Sequence, residues 1–187
     1  EAGNLLADGI TWGYNTLGFV GGGLFGLAYA PICLTGMHHS FIAIETQLIA
    51  AKATTGGSFI FTTASMNNVA QGAAVLAVLF LTKNEKMKSI CSASGVSALL
   101  GITEPAVFGV NLKFVKPFVM SMIGGGVGGF LASIFHLRAT GMSITGIPGT
   151  LLYLNEQLPL YILVNVVAFG VAFGLTWMFG FNKKMEQ

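Results

Sequence analysis

The chain has 187 residues, of which 53% are hydrophobic and only 9% are charged, and its mean hydropathy is +0.75. Because soluble domains carry about 25% charged residues, this composition excludes a soluble protein. The net charge of +2 and the lack of a basic run interleaved with aromatic residues also set nucleic-acid binding aside.

Four apolar stretches are the main elements that the sequence predicts. About 20 helical residues cross the hydrocarbon core of a bilayer. In chain order, the predicted spans run from about Trp12 to Pro31, Phe59 to Thr82, Pro117 to His136 and Leu158 to Phe181. The sequence therefore predicts an all-α, polytopic helical membrane protein. Because it opens at Glu1 without a methionine or signal sequence, we expect a piece of a longer protein.

Basic residues orient these spans, because cytoplasmic loops carry an excess of Lys and Arg. Seven of the nine basic residues fall in three clusters, which are Lys83, Lys86 and Lys88, then Lys113 and Lys116, then Lys183 and Lys184. All three clusters can lie on the cytoplasmic side together. Residues 136–157, with the single Arg138, then lie outside.

The segment from Ser89 to Leu112 must leave the cytoplasmic side and return to it within 24 residues. Two full crossings need about 40 residues, so we expect a re-entrant helical hairpin with Gly101 to Pro105 at its tip. Non-helical backbone at that depth must be covered by protein or water. Glu104 would lie at the N-terminus of the returning helix, where a carboxylate is stabilised. An interfacial loop with a capping glutamate is the structural alternative.

A second polar cluster, Thr35 to Ser40, follows an expected helix break at Pro31. On a continuing helix Glu45 lies seven residues after His38, near the same face, so both could bind one ligand or each other. Adjacent side chains diverge by about 100°, so we expect no metal site at His38 and His39, and the sequence indicates no cofactor. A purely structural role for these groups remains open.

A third polar patch contains Ser65, Asn67, Asn68 and Gln71. These groups could line a cavity or join helices by hydrogen bonds, and the sequence does not separate the two. Lys52, beside a turn predicted at residues 54–58, could belong to a second re-entrant hairpin.

Small residues and cysteines complete the pattern. Glycines recur every four residues at Gly18, Gly22 and Gly26, at Gly124 and Gly128, at Gly125 and Gly129, and at Gly170 and Gly174, which predicts close helix contacts. Cys33 and Cys91 match no metal or redox spacing and are expected to be buried, inert thiols.

Two sets of motifs resemble a known family. Residues 101–113, Gly-Ile-Thr-Glu-Pro followed by Ala-Val-Phe-Gly-Val-Asn-Leu-Lys, are similar to the signature of the IIC permeases of bacterial sugar phosphotransferase systems, in the glucose-glucoside superfamily. Residues 38–47, 56–59 and 68–72 resemble most closely its sucrose branch, with trehalose and β-glucoside permeases nearby. Single motifs do not separate these sugars.

The resemblance implies a sugar permease in the bacterial inner membrane, as the membrane component of a sucrose phosphotransferase. Such a permease carries a disaccharide across the bilayer and presents its 6-hydroxyl to a phosphocysteine on a partner IIB domain. By this resemblance Glu104 should accept a hydrogen bond from the reacting hydroxyl and act as its base. His38 should bind the sugar, and His39, Glu45, Thr103 and Asn68 are further candidate ligands.

The resemblance also implies what residues 1–187 lack. They match only the C-terminal, sugar-binding half of the permease, so the N-terminal scaffold half, with its dimer helices, and the IIB domain would be separate partners. Some relatives carry an arginine where this chain has Ala30. Two other classes remain: an ion-coupled secondary transporter using Glu45 and Glu104 as cation or proton sites, and an inactive structural half-transporter.

Overall fold

The computed structural model describes residues 12–13 and 16–181, and within these ranges most of the chain is helical. One isolated antiparallel pair joins Ser58 and Ala139. The all-α prediction is confirmed. The third lysine cluster, Lys183 and Lys184, lies outside the described residues.

The first predicted span overlaps the first of two helices that meet at a sharp angle. Helix α1 (Phe19–Leu34) and helix α2 (Phe41–Ala50) are joined by the 3₁₀ turn Met37–Ser40, and their two segments are bent by 114°. The expected break at Pro31 is wrong, because α1 continues through it. The chain turns instead at Gly36, whose φ of 73° is open to glycine at no steric cost.

The other three predicted spans are confirmed. They are helix α3 (Phe59–Leu81), and the pieces Lys116–Ile134 and Leu158–Gly180, each long and apolar enough to cross a bilayer. Helix α3 starts at Ser58, whose hydroxyl accepts a hydrogen bond from the backbone N–H of Phe61 at 3.2 Å. Nineteen of its 23 residues are buried, so α3 is the central helix of this unit.

Between the lysine clusters the chain forms a helical hairpin. Helix α4 (Glu85–Leu99) leads to the tip, and a broken helix α5 returns from it through Glu104–Ala106, a π-helical Val107–Asn111 and Leu112–Phe114. The 15 residues of α4 measure about 22 Å, short of the roughly 30 Å of a hydrocarbon core. The hairpin runs from Glu85 to Phe114, so it extends a few residues beyond each end of the predicted segment, Ser89 to Leu112.

The depth of the hairpin tip is set by α3. The Nδ2 of Asn68 donates a hydrogen bond to the carbonyl oxygen of Gly101 at the tip, at 3.3 Å. Asn68 lies near the middle of α3, which spans residues 59–81. The tip therefore reaches about half the height of a candidate membrane span, as a re-entrant hairpin requires.

Helix α6 (Lys116–Ile134) and helix α7 (Leu158–Leu175), which continues as the π-helical Thr176–Gly180, are joined by a long segment that folds back onto the core. In it, Leu137, Ala139 and Tyr153 are fully buried. Tyr153 shares a 2.6 Å hydrogen bond with the hydroxyl of Thr62 on α3. This segment lies at the end of α3 opposite the lysines, in agreement with the predicted outside position of residues 136–157.

The predicted glycine contacts hold on α6 and for Gly22 and Gly26 on α1, and they fail for Gly18 and on α7. Helices α1 and α6 approach so closely that a methyl group at Gly26 would stand 2.5 Å from the carbonyl oxygen of Gly125. On α7, in contrast, nothing lies within 4 Å of the corresponding position at Gly170 or Gly174. The α7 glycines therefore make no helix contact among the described residues, since α7 packs through other positions, such as Tyr161, Val164 and Ala168.

This difference predicts opposite effects of the same substitution. We expect Gly26→Ala to lower the thermal unfolding midpoint of the detergent-solubilised full-length gene product by several degrees, because overpacking of a tight contact costs about 1–3 kcal/mol. Gly170→Ala should leave the midpoint unchanged or raise it slightly, because alanine favours helix over glycine by about 1 kcal/mol. Equal midpoints for the two variants would contradict the α1–α6 contact.

Candidate functional site

A cavity of about 210 Å³ lies between the end of α1, the middle of α3 and the hairpin tip. Its wall combines apolar groups with several polar side chains, as in small-molecule sites generally. The polar wall comprises Tyr29, Cys33, His38, Asn67, Asn68, Gln71, Thr103, Glu104 and Thr145. Five separate stretches of the chain thus meet at one place.

Glu104 reaches the cavity because it is the first helical residue of α5, directly after the tip. Pro105, which has no amide hydrogen to leave unpaired, suits the start of the returning helix. Gly101 makes the preceding turn with φ of 98°, and a methyl group there would stand 2.6 Å from the carbonyl oxygen of Thr145. A carboxylate is therefore held at mid-height by a turn that excludes larger residues.

His38 faces the same cavity from the 3₁₀ turn after α1. Its Nδ1 is buried, and the backbone of Cys33 interacts with the ring. The ring lies against that of His39, with 4.1 Å between ring centroids. His38 and Glu104 are close enough to interact electrostatically across the cavity. One carboxylate and one imidazole ring thus line the same cavity.

The amides of α3 combine structural and cavity-lining roles. Asn67 joins helices, because its Nδ2 donates to the carbonyl oxygens of Gly26 at 3.0 Å and Thr63 at 3.2 Å. Asn68 fixes the hairpin tip and also donates to the hydroxyl of Thr145. Both accounts of this polar patch, which the sequence left open, therefore apply to the same residues.

The structure brings together four of the six predicted site residues: His38, Asn68, Thr103 and Glu104 line the cavity. His39 is exposed and does not line it, and Glu45 lies buried on α2. The continuing helix on which Glu45 would share a face with His38 does not form, because the 3₁₀ turn intervenes. Sugar binding by His39 and Glu45 stays a prediction without support from their positions.

Several wall residues were not predicted. Tyr29 and Cys33 lie one helical turn apart on α1, an i, i+4 spacing that could have indicated a shared face. Cys33 is only partly buried, so the expectation of a buried thiol is wrong there and correct for Cys91, which is 0% exposed. Thr145 comes from the outer segment, and no local pattern marks it.

Comparison with known proteins decides the family. The family described as "Phosphotransferase system, EIIC" matches residues 2–125. The chain belongs to this family. It is therefore a multi-pass membrane component of a phosphotransferase system. No solved structure matches it.

Individual relatives of this EIIC chain are longer proteins. It is 48% identical to the "PTS system sucrose-specific EIIBC component" of Pasteurella multocida over 186 residues, which cover 100% of the chain and 39% of the relative. It is 59% identical to the protein of that name from Staphylococcus xylosus, over 77% of the chain and 30% of the relative. Identity to the "PTS system trehalose-specific EIIBC component" of Bacillus subtilis is 36%, over 95% of the chain and 37% of the relative. The chain spans about two fifths of the length of such relatives.

The position of the tip predicts an effect of Asn68 on local stability. Asn68→Leu removes the hydrogen bonds to Gly101 and Thr145. Interhelical hydrogen bonds in membrane proteins contribute about 0.6 kcal/mol on average and up to about 1.7. We therefore expect amide hydrogen exchange at residues 99–103 to become about 3- to 20-fold faster. Exchange in α7 should stay unchanged and serves as the internal control. Unchanged exchange at the tip would contradict the tether.

Proposed function

We propose that this chain forms the sugar-binding part of a permease that carries sucrose across the bacterial inner membrane, coupled to its phosphorylation. The observation that carries the proposal is the convergence of Glu104 and His38 on one cavity, with the Asn68 and Gln71 amides beside them. Sugars are recognised through hydroxyl groups that donate and accept hydrogen bonds, and this wall offers both partners.

Sucrose is favoured as the substrate by the relatives. Those named as sucrose-specific are 43% to 59% identical, whereas the one named as trehalose-specific is 36% identical. The cavity of about 210 Å³ is small for a ligand site, for which about 300–1,000 Å³ is usual. We therefore propose that these residues hold one part of the disaccharide, and that a separate scaffold half of the permease encloses the rest and forms the dimer.

In the proposed reaction, the sugar hydroxyl donates a hydrogen bond to the carboxylate of Glu104. As the hydroxyl oxygen attacks the phosphorus of a phosphocysteine on a IIB domain, the P–S bond breaks and a P–O bond forms. The hydroxyl proton passes to Glu104, and the cysteine leaves as a thiolate. His38 holds the sugar in place through its ring nitrogen. Several relatives are named EIIBC or EIIBCA, which supports a IIB domain as the phosphoryl donor.

The helical hairpin suits this task because its base and its tip lie at different depths. The base lies at the lysine clusters, on the predicted cytoplasmic side, where a soluble IIB domain would dock. The tip reaches the middle of α3 and carries Glu104 there. Movement of this unit against a scaffold would expose the sugar to either side in turn. Family membership does not favour the ion-coupled alternative.

The proposal is tested by replacing the carboxylate without changing its shape. In vesicles containing the full-length gene product, phosphoenolpyruvate and the soluble phosphocarriers, Glu104→Gln should reduce sucrose phosphorylation by about 10²- to 10⁴-fold, which is the usual contribution of a general base. The matched control is Glu156→Gln, a change of an exposed glutamate in the outer segment, which should retain the wild-type rate.

Two results would contradict the proposal. One is wild-type sucrose phosphorylation by Glu104→Gln in protein that inserts normally. The other is uptake that continues without phosphoenolpyruvate but stops when ion gradients are collapsed, which would indicate the ion-coupled class. A panel of sucrose, trehalose and aryl-glucosides in the same vesicles separates the branches, and sucrose should be phosphorylated fastest.

A further inference from the structure

One side chain in the cavity wall has an unusual hydrogen-bonding state. Gln71 on α3 is 2% exposed and lines the cavity. Its Nε2 has no hydrogen-bond partner among the described residues. Leaving a buried amide donor unpaired costs about 1–3 kcal/mol, so such groups in native proteins usually have a partner or a function.

The orientation of this amide is fixed by Asn111. The side-chain amide of Asn111 lies 3.3 Å from the backbone carbonyl oxygen of Gln71 and also contacts the side-chain Oε1 of Gln71. Because a backbone carbonyl only accepts hydrogen bonds, the atom of Asn111 beside it must be the donor Nδ2. The atom of Gln71 that shares this donor must therefore be Oε1. Nε2, with its two N–H groups, is left as the free end of the amide.

Asn111 occupies this position because of an irregularity in α5. It is the last residue of the π-helical segment Val107–Asn111 and is fully buried. A π-helical turn inside an α-helix shifts the following side chains around the helix axis, and such turns are frequent at functional sites. The same α5 begins with Glu104. One arm of the hairpin therefore supplies the cavity with an acceptor directly and sets the orientation of a donor through Asn111.

We propose that Gln71 is a substrate-binding residue that donates a hydrogen bond from Nε2 to an oxygen of the bound sugar, and that Asn111 is the positioning residue that keeps this donor directed at it. The inference rests on the proposed function, in which a sugar occupies this cavity. Glu104 then requires a hydroxyl proton from the sugar and Gln71 requires a sugar oxygen. A site built around such a pair rejects analogues that lack the partner oxygen, because its buried polar group stays unpaired.

The test measures sucrose binding to the detergent-solubilised full-length gene product by calorimetry, with a panel of monodeoxysucroses as probes. Gln71→Met keeps the side-chain length and removes both donors. It should weaken sucrose binding by about 10- to 100-fold. For one deoxysucrose, which lacks the partner oxygen, the wild type and Gln71→Met should bind equally weakly. For the other analogues, the loss of affinity caused by Gln71→Met and the loss caused by the missing hydroxyl should add.

Positioning by Asn111 has a separate readout. Asn111→Leu should weaken sucrose binding less than Gln71→Met does. The double variant should bind no more weakly than Gln71→Met alone, because Asn111 acts only through Gln71. Asn165→Leu is the matched control, because Asn165 is another amide in a membrane span but lies on α7 and lines a separate apolar groove. It should keep wild-type affinity for sucrose.

The outcomes distinguish this inference from the proposed function. Wild-type affinity in Gln71→Met, or a loss that adds equally for every deoxysucrose, would overturn the inference and leave the proposed function standing. If the wild-type protein bound neither sucrose nor trehalose, the proposed function and the inference would both be overturned. Should Gln71→Met fail to fold, Gln71→Glu fills the same space with acceptors only. It must then lose the preference for sucrose over the deoxysucrose that lacks the partner oxygen.

Discussion

The structure depends on a row of polar side chains along the buried helix α3. Irregular backbone within a membrane persists only where protein or water covers its polar groups. Thr62 is hydrogen-bonded to the hydroxyl of Tyr153, and Ser65 is hydrogen-bonded to the hydroxyl of Tyr161 and to the backbone of Gly146. Asn68 is hydrogen-bonded to the hairpin tip. Gln71 is bonded to Asn111 of the returning arm. Each irregular segment is thereby attached to α3 at a different height.

These hydrogen bonds to α3 help to fix the position of the candidate site. Glu104 belongs to a short broken helix whose buried side chains pack in the core, and hydrogen bonds join the tip to Asn68 and the returning arm to Gln71. The same amides line the cavity, so structural support and ligand recognition share residues. A sugar that bonds to this wall would therefore bind to the hairpin and to α3 together, and the two would move as one unit.

Much of this could be predicted from the sequence, because the strongest signals were physical. Apolar length located three spans, and the lysines and the short segment between them required a hairpin carrying Glu104 at its tip. The bend between α1 and α2 was misplaced, because Pro31 is accommodated within α1 and the chain turns at Gly36. Thr145 and the pairing of Gln71 with Asn111 depend on contacts between distant segments, which no local pattern encodes.

The most direct test of the central claim is an experimental structure of the full-length gene product with bound sucrose. The account predicts that the hairpin tip lies at the middle of α3. It also predicts that one sugar hydroxyl lies within about 3 Å of the Glu104 carboxylate and that His38 contacts the same sugar. A sugar bound elsewhere, or a Glu104 that faces lipid or bulk water while sucrose is bound, would contradict it.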